Sequence, residues 1–286
     1  MKTAIVTDSN SEISEVEAEL FDIHVIPMPV IIDNKTFYEG VDIQTTEFFQ
    51  RLQNKENIST SQPSPGEVVS IWDALLRQGY DDLIYIPMSS GLSSSCQTAC
   101  ALAQEYEEKV CVVDARRISV TQRHIVLDAV KLRSRGASAA EIRQILEENA
   151  EKSRIYVGVD DLWYLKKGGR ITSAAATVAT ALNIKPLLVI RGEKINLEEK
   201  VRGVKTCQRK MLEKAQKYCE ELLAAGYRIR LDAGGSYIDP EDADAWLKQV
   251  QQTFPYHSMD YYPLTFSISC HTGPKAFGLG ISAQVP

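Results

Sequence analysis

The chain has 286 residues, 44% of them hydrophobic and 24% charged, with a formal net charge of −6. That length exceeds the usual size of one domain, so two domains are expected, with ample apolar surface for soluble cores. The acidic balance argues against nucleic acid as the main partner, because phosphate backbones need a basic face.

No apolar run approaches the length of a membrane span, and Met1-Lys2-Thr3 leads directly into a strand pattern instead of a signal peptide. A cytoplasmic protein is expected. The cysteines at positions 96, 100, 111, 207, 219 and 270 form no Cys-x-x-Cys pair, and His24, His124, His257 and His271 form no ligand cluster. Cys96 and Cys100 share a helix face, where buried thiols are expected in place of a metal site, and no metal and no cofactor are expected.

In chain order, Ala4-Ile5-Val6 reads as a strand ending in Thr7-Asp8-Ser9-Asn10, and Ile13, Val16 and Leu20 mark the helix after it. Residues 23–26 form a second strand, and Pro27 and Pro29 make its continuation an edge or an irregular segment. Phe48, Phe49 and Leu52 fit a short helix from about Thr45. A hydroxyl-rich loop over 59–66 then leads into a helix that buries Val68, Val69, Trp72, Leu75 and Leu76, with Pro65 in its first turn and Gly79 as its stop.

Residues 83–87, Leu-Ile-Tyr-Ile-Pro, read as a buried parallel strand. Ala99, Leu102, Ala103 and Tyr106 mark a helix beyond it, so Ser89-Ser90-Gly91-Leu92-Ser93-Ser94-Ser95 is a strand-to-helix turn. Helix capping uses one hydroxyl, whereas this turn carries five in seven residues. With free backbone N–H groups and a helix dipole, it is a seat for a carboxylate, a phosphate or an oxyanion.

Residues 110–113 form the next strand, ending in Asp114; a helix follows from about Ser119, and another through Glu141, Ile142, Ile145 and Leu146. This alternation implies a parallel sheet with helices on both faces, whose strand ends gather Asp8, Ser61, Ser93 and Asp114.

The pattern changes after Glu151, so the expected division is 1–152 and 153–286, an N-terminal α/β domain and a C-terminal mixed α/β domain. The second part begins with a strand over 155–159, then Asp161 to Leu165 and a basic turn, Lys166-Lys167-Gly168-Gly169-Arg170. An Ala/Thr-rich helix is expected over 173–182, a hairpin over 186–197 and a long helix over 204–225. Strand, helix and strand follow over 229–231, 243–250 and 256–262. The tail from His271 to Gly280 has the glycine density of a backbone that closely approaches something.

No Gly-x-x-x-x-Gly-Lys and no Gly-x-Gly-x-x-Gly occurs, so a phosphoryl donor would come from a partner. The order Ser93, Asp232, His271 suits an α/β-hydrolase triad, although the turn lacks the second glycine of Gly-x-Ser-x-Gly. A serine hydrolase with Ser93 as nucleophile and a binding module for another small anion are therefore alternatives.

The chain resembles the DegV family of bacterial two-domain lipid-binding proteins. The resemblance is carried by Thr7-Asp8-Ser9, Thr60-Ser61-Gln62-Pro63, Ser89-Ser90-Gly91-Leu92-Ser93, Lys167-Gly168-Gly169-Arg170-Ile171, Ile184-Lys185-Pro186 and His271-Thr272-Gly273-Pro274. It implies a carrier, not an enzyme, that buries one long-chain fatty acid between its domains. Some members hand the carboxylate to an ATP-binding fatty acid kinase subunit. By that resemblance the carboxylate is held at Ser61, Ser93 and His271, with Thr60 and Thr272 beside them and Arg170 as the head-group charge. Thr121, Arg123 and Lys275 stand where the family has glycines, and Ser94 and Cys96 also depart from its pattern. Such larger side chains are expected to narrow the pocket or change its ligand.

Overall fold

The computed structural model describes residues 2–177 and 184–286. Strand β1 (Thr3–Asp8), buried along its whole length, leads through a 3-10 turn at Ser9–Ser11 to α1 (Glu15–Phe21) and β2 (Ile23–Ile26). A reciprocal capping box between Ser14 and Glu17 fixes where α1 starts, which leaves Ile13 outside the helix. The expected apolar face of Ile13, Val16 and Leu20 therefore does not form. Val16 and Leu20 are 74% and 71% exposed, and Ala18 and Phe21 pack inward instead.

After Pro27 and Pro29 the chain builds a small antiparallel sheet that was not expected. It comprises β3 (Val30–Ile32), β4 (Lys35–Phe37) and, after α2 (Thr45–Gln53), β5 (Ile58–Thr60), in the order β4-β3-β5. Asp33 and Asn34, both left-handed at φ 48° and 65°, make the two-residue hairpin turn. Helix α3 (Pro65–Arg77) starts with a second capping box, Ser64 with Glu67, and buries Val68, Trp72 and Leu75.

Strand β6 (Asp82–Ile86), α4 (Ser95–Ala103), β7 (Val110–Val112), α5 (Ser119–Ser134) and α6 (Ala139–Glu148) follow. The first sheet is parallel, in the order β2-β1-β6-β7. As expected, helices cover both faces: Trp72 of α3 and Ala99 of α4 pack on one, and Ile125 of α5 and Ile142 of α6 on the other.

The later strands form a separate six-stranded mixed sheet. It is built from β8 (Ser153–Gly158), β9 (Ile184–Ile190), β10 (Asn196–Arg202), β11 (Ile229–Gly235), β12 (Tyr261–Pro263) and β13 (Phe277–Ala283), in the order β10-β9-β8-β13-β11-β12. Its helices are α7 (Trp163–Gly168), α8 (Ser173–Ala176), α9 (Val204–Ala224), α10 (Pro240–Thr253) and α11 (Phe266–Thr272). Three expectations are corrected here, and a fourth is met only at its start. The basic turn is the last turn of α7, stopped by Gly169 at φ 69°. The helix expected over 173–182 begins as α8, and its remainder lies outside the described residues. The strand expected over 256–262 is only Tyr261–Pro263. The glycine-rich tail is α11 followed by β13, a strand paired on both sides.

Helices α9 and α10 cover one face of this sheet, burying Met211, Trp246 and Leu279. Its other face meets α5. There a Cβ on Gly280 would lie 2.2 Å from Cγ2 of Val120, so the absence of a side chain is what lets the first turn of α5 seat. The close approach expected of this glycine-dense tail is this contact. Eleven of the sixteen residues of α5 are buried, polar ones among them. Gln122 Nε2 donates to Thr7 Oγ1 (3.2 Å) and to the carbonyl of Ile86 (3.3 Å) in the first sheet. On the other side, His124 meets Asp232 Oδ2 and Ser282 Oγ, each at 2.7 Å. Among the described residues no helix is long and apolar enough to cross a membrane.

This seating predicts that Gly280→Ala lowers stability by about 1–3 kcal/mol through overpacking. Val120→Ala in the same chain should recover part of that loss, read as a coupling in urea midpoints. A Gly280→Ala cost of the same size in both backgrounds would refute the contact as its cause.

Candidate functional site

A cavity of about 300 Å³ opens where β5, the turn after β6, the first turn of α5, α11 and the glycine face of the second sheet meet. Most of its wall is aliphatic, from Leu92, Ile118, Val120, Ile155, Val157 and Ile268 among others. All six residues singled out from the sequence line it: Thr60, Ser61, Ser93, Arg170, His271 and Thr272. They come from four distant segments, brought together by the end of β5, the turn before α4, the end of α7 and the end of α11.

Within this polar group, His271 Nε2 lies 2.9 Å from Thr60 Oγ1. Its ring is packed on α7, where a Cβ on Gly168 would lie 2.1 Å from Nδ1. Nδ1 is buried without a partner among the described residues. Burial, reinforced by the charge of Arg170, pushes the imidazole down from 6.5 to about 4, so it is neutral near pH 7. The Ser93 hydroxyl oxygen accepts from the N–H of Ser95 at 3.2 Å, which leaves its own proton free to donate. Ser61 is exposed at the mouth. Next to it, Gln62 Oε1 accepts from Ser94 Oγ (3.2 Å) and Thr98 Oγ1 (3.1 Å), tying that loop to the head of α4. The Thr272 hydroxyl makes only long bonds, 3.4 Å to the carbonyls of Ile268 and Gly273.

Arg170 is half-buried. Its Nε donates to the carbonyl of Leu92 (3.2 Å) and Nη1 to that of Gly168 (2.5 Å), and no carboxylate pairs with it among the described residues. The site thus offers several hydroxyl donors, one neutral imidazole and one cation without a counter-charge at the end of an apolar cavity. That set suits a small anionic head with a hydrocarbon tail.

Other expectations are corrected. The five serine hydroxyls of the turn do not form one seat: only Ser93 and Ser94 line the cavity. Ser89 Oγ donates to the carbonyl of Gly192 (2.6 Å), locking the turn to the β9–β10 hairpin, and the N–H groups of Ser90, Gly91, Leu92 and Ser93 are all used internally. Asp8 and Asp114 do sit at strand ends, but as braces. Asp8 accepts from the N–H groups of Met88 (2.7 Å) and Asn10 (3.0 Å), and Asp114 from those of Arg116 (3.2 Å) and Ser90 (3.3 Å). Neither lines the cavity.

The hydrolase triad does not assemble. The carboxylate of Asp232 accepts from Asp260 N–H and pairs with the buried His124, while His271 pairs with Thr60. Ser93 therefore lacks the Asp–His relay that its place in the sequence suggested. Three departures from the family pattern also lie off the cavity. Arg123 pairs with Glu17 and stacks 4.4 Å from the Tyr262 ring; Thr121 Oγ1 donates to the carbonyl of Ile118; Lys275 is exposed on another face. They do not narrow it.

The residues that do shape its far wall, Ser119 and Val120, were missed as lining, as was Asn10. The available signal was the pair Gly278 and Gly280, which called for an unidentified close neighbour.

A family model described as an uncharacterised protein of the DegV family matches residues 2–284. A DegV domain-containing protein of Listeria innocua is 32% identical over 284 residues, with 97% of each chain covered. One from Staphylococcus aureus is 31% identical over 278 residues, covering 97% of this chain and 98% of its own. Among solved structures, a stearic acid-binding protein of Eubacterium ventriosum superposes with TM-score 0.89 at 26% identity over 99% of both chains. A fatty-acid-binding DegV family protein of Thermus thermophilus gives 0.89 at 27% identity, over 99% of this chain and 100% of its own.

Burial holds both His271 and His124 neutral, each pushed from 6.5 to about 4. The unfolded chain then binds more protons than the folded one below about pH 6.5, so these groups remove stability as pH falls toward 4. Asp8 acts with the opposite sign. Burial raises it from 3.8 to about 6, so its contribution is full at low pH and is lost as pH rises through 6. His124→Gln should therefore lose less stability than the parent between pH 7 and 4.5 in urea titrations. An acid limb of unchanged depth would count against His124 as one of its sources.

Proposed function

The chain belongs to the DegV family, and from that premise we propose that it binds one long-chain fatty acid and presents its carboxylate to an ATP-binding kinase subunit. The carrying observation is that six hydroxyl, imidazole and guanidinium side chains from distant segments line one cavity whose wall is mostly aliphatic. A C16 tail buried at about 0.8 kcal/mol per CH₂ contributes on the order of 10 kcal/mol, so the tail carries the affinity. Ser61, Ser93 and the Thr60–His271 pair supply donors to a carboxylate that would be costly to bury unpaired, with Thr272 beside them. Arg170 supplies the charge. In this reading the protein is a carrier without a nucleotide site of its own. The proposal includes two units meeting near residue 152, a division motivated by strands before and after it belonging to different sheets.

The first test is mass spectrometry of the organic extract of the purified protein. A long-chain fatty acid is expected; an extract with none, and no uptake of added palmitate, would sink the reading. Ser61→Ala and Ser93→Ala should each weaken binding by about 1–3 kcal/mol in titration calorimetry. Unchanged affinity in both, with the fold intact, would remove them from the seat. Arg170→Ala should leave fatty acid binding nearly intact while sharply reducing acyl-phosphate formation with the kinase subunit, because a positioned cation stabilises charge on the transferring group. Equal losses in both assays would make Arg170 part of the carboxylate seat.

A further inference from the structure

One part of the cavity wall away from the head group is polar. Asn10, just past β1, is 1% exposed, and its side chain lines the cavity together with Met88 and Ser267. Its amide oxygen accepts from Thr265 Oγ1 at 2.8 Å and from the Ser267 hydroxyl. The amide nitrogen carries two hydrogens, and its one partner among the described residues is the sulfur of Met88 at 3.1 Å, a weak acceptor. In this orientation every polar atom of the amide has a partner, whereas turned over its carbonyl would face that sulfur. Ser267 spends its proton on Asn10 and keeps lone pairs to accept with. An under-used donor and a free acceptor therefore sit side by side among Met28, Ile118, Leu264 and Ile268.

A plain methylene chain lying there would leave the amide hydrogen unsatisfied in an apolar wall, which is costly. A hydroxyl group both donates and accepts, and so answers both partners at once. Resting on the fatty-acid reading above, we infer that the cavity is built for a hydroxy fatty acid whose hydroxyl meets Asn10 and Ser267. Ser267 stands one helical turn before His271 on α11, roughly 6 Å along the axis, so the hydroxyl belongs in the carboxyl-proximal half of the chain.

The test measures Kd for stearate and for a set of monohydroxystearates with the hydroxyl stepped along the chain, including one at its far end. The parent protein should prefer one carboxyl-proximal isomer over stearate by about tenfold, the worth of one net hydrogen bond. Asn10→Leu and Ser267→Ala should each abolish that preference while still binding stearate. Because Asn10→Leu also strips two hydroxyls of their acceptor, Ser267→Ala decides if the first variant fails to fold. Equal affinity for stearate and every isomer in the parent would overturn the inference, with water serving the amide, and would leave fatty acid binding standing. A preference that survives in Ser267→Ala, or one for the far-end isomer, would also overturn it. Failure of stearate and all isomers to bind would remove both readings together.

Discussion

The structure depends on the seating of α5 between two sheets. A helix buried on nearly every side has no solvent face on which to place polar groups, yet α5 carries Gln122, His124 and Asp128 inside. Each finds a partner, Gln122 through its amide nitrogen alone, and the partners lie on opposite sides. Gln122 reaches the parallel sheet, and His124 reaches β11 and β13. Asp128 accepts from Arg230 of β11 at 3.2 Å. Hydrogen bonds thus fix the helix to both sheets, and Gly280 gives its first turn room to approach. The far wall of the cavity follows from that approach, since Ser119 and Val120 stand where α5 begins.

The polar end of the cavity is set by a second, smaller assembly. His271 lies at the end of α11, a helix of two turns that propensity alone would not hold. Phe266 at its start stacks on Phe48 of α2 with ring centroids 4.1 Å apart, and its N–H donates to Glu39 Oε2 at 2.9 Å. Gly168 leaves space for the imidazole, and a Cβ on Gly273, past the end of α11, would meet the Tyr164 ring at 2.3 Å. The small antiparallel sheet packs in the same cluster and delivers Thr60 to the histidine. Position in this site comes from packed rings and missing side chains more than from charge.

The parts of the fold legible in the sequence were those written locally. The strands read at 4–6, 23–26 and 83–87, the helix start near Pro65 and the hairpin read over 186–197 rest on neighbouring residues. The three-stranded sheet was not legible because β4 is short and mostly exposed, and Val30-Ile31-Ile32 follows two prolines. Strand β13 was hidden by Gly278 and Gly280, which weaken strand propensity but are required by the helix laid across them. In the site, the residues recognised by motif all line the one cavity. Asp232 was matched to the wrong histidine because order along the chain carries no distance. Asn10 gave no signal, since its neighbours Thr265 and Ser267 are more than two hundred residues away in sequence.

The polar end of the cavity carries a positive charge that no acidic side chain offsets among the described residues. Arg170 rests on two backbone carbonyls, so its charge is positioned but not neutralised. That charge, added to burial, keeps His271 neutral in the empty site. A carboxylate arriving between them would oppose both effects: it compensates the guanidinium and favours a protonated imidazole. In the reading proposed above, the hydroxyls supply the hydrogen bonds to the head group and Arg170 faces it as a field instead of an anchor. On that fatty-acid reading, affinity lies in the tail and orientation in the head group.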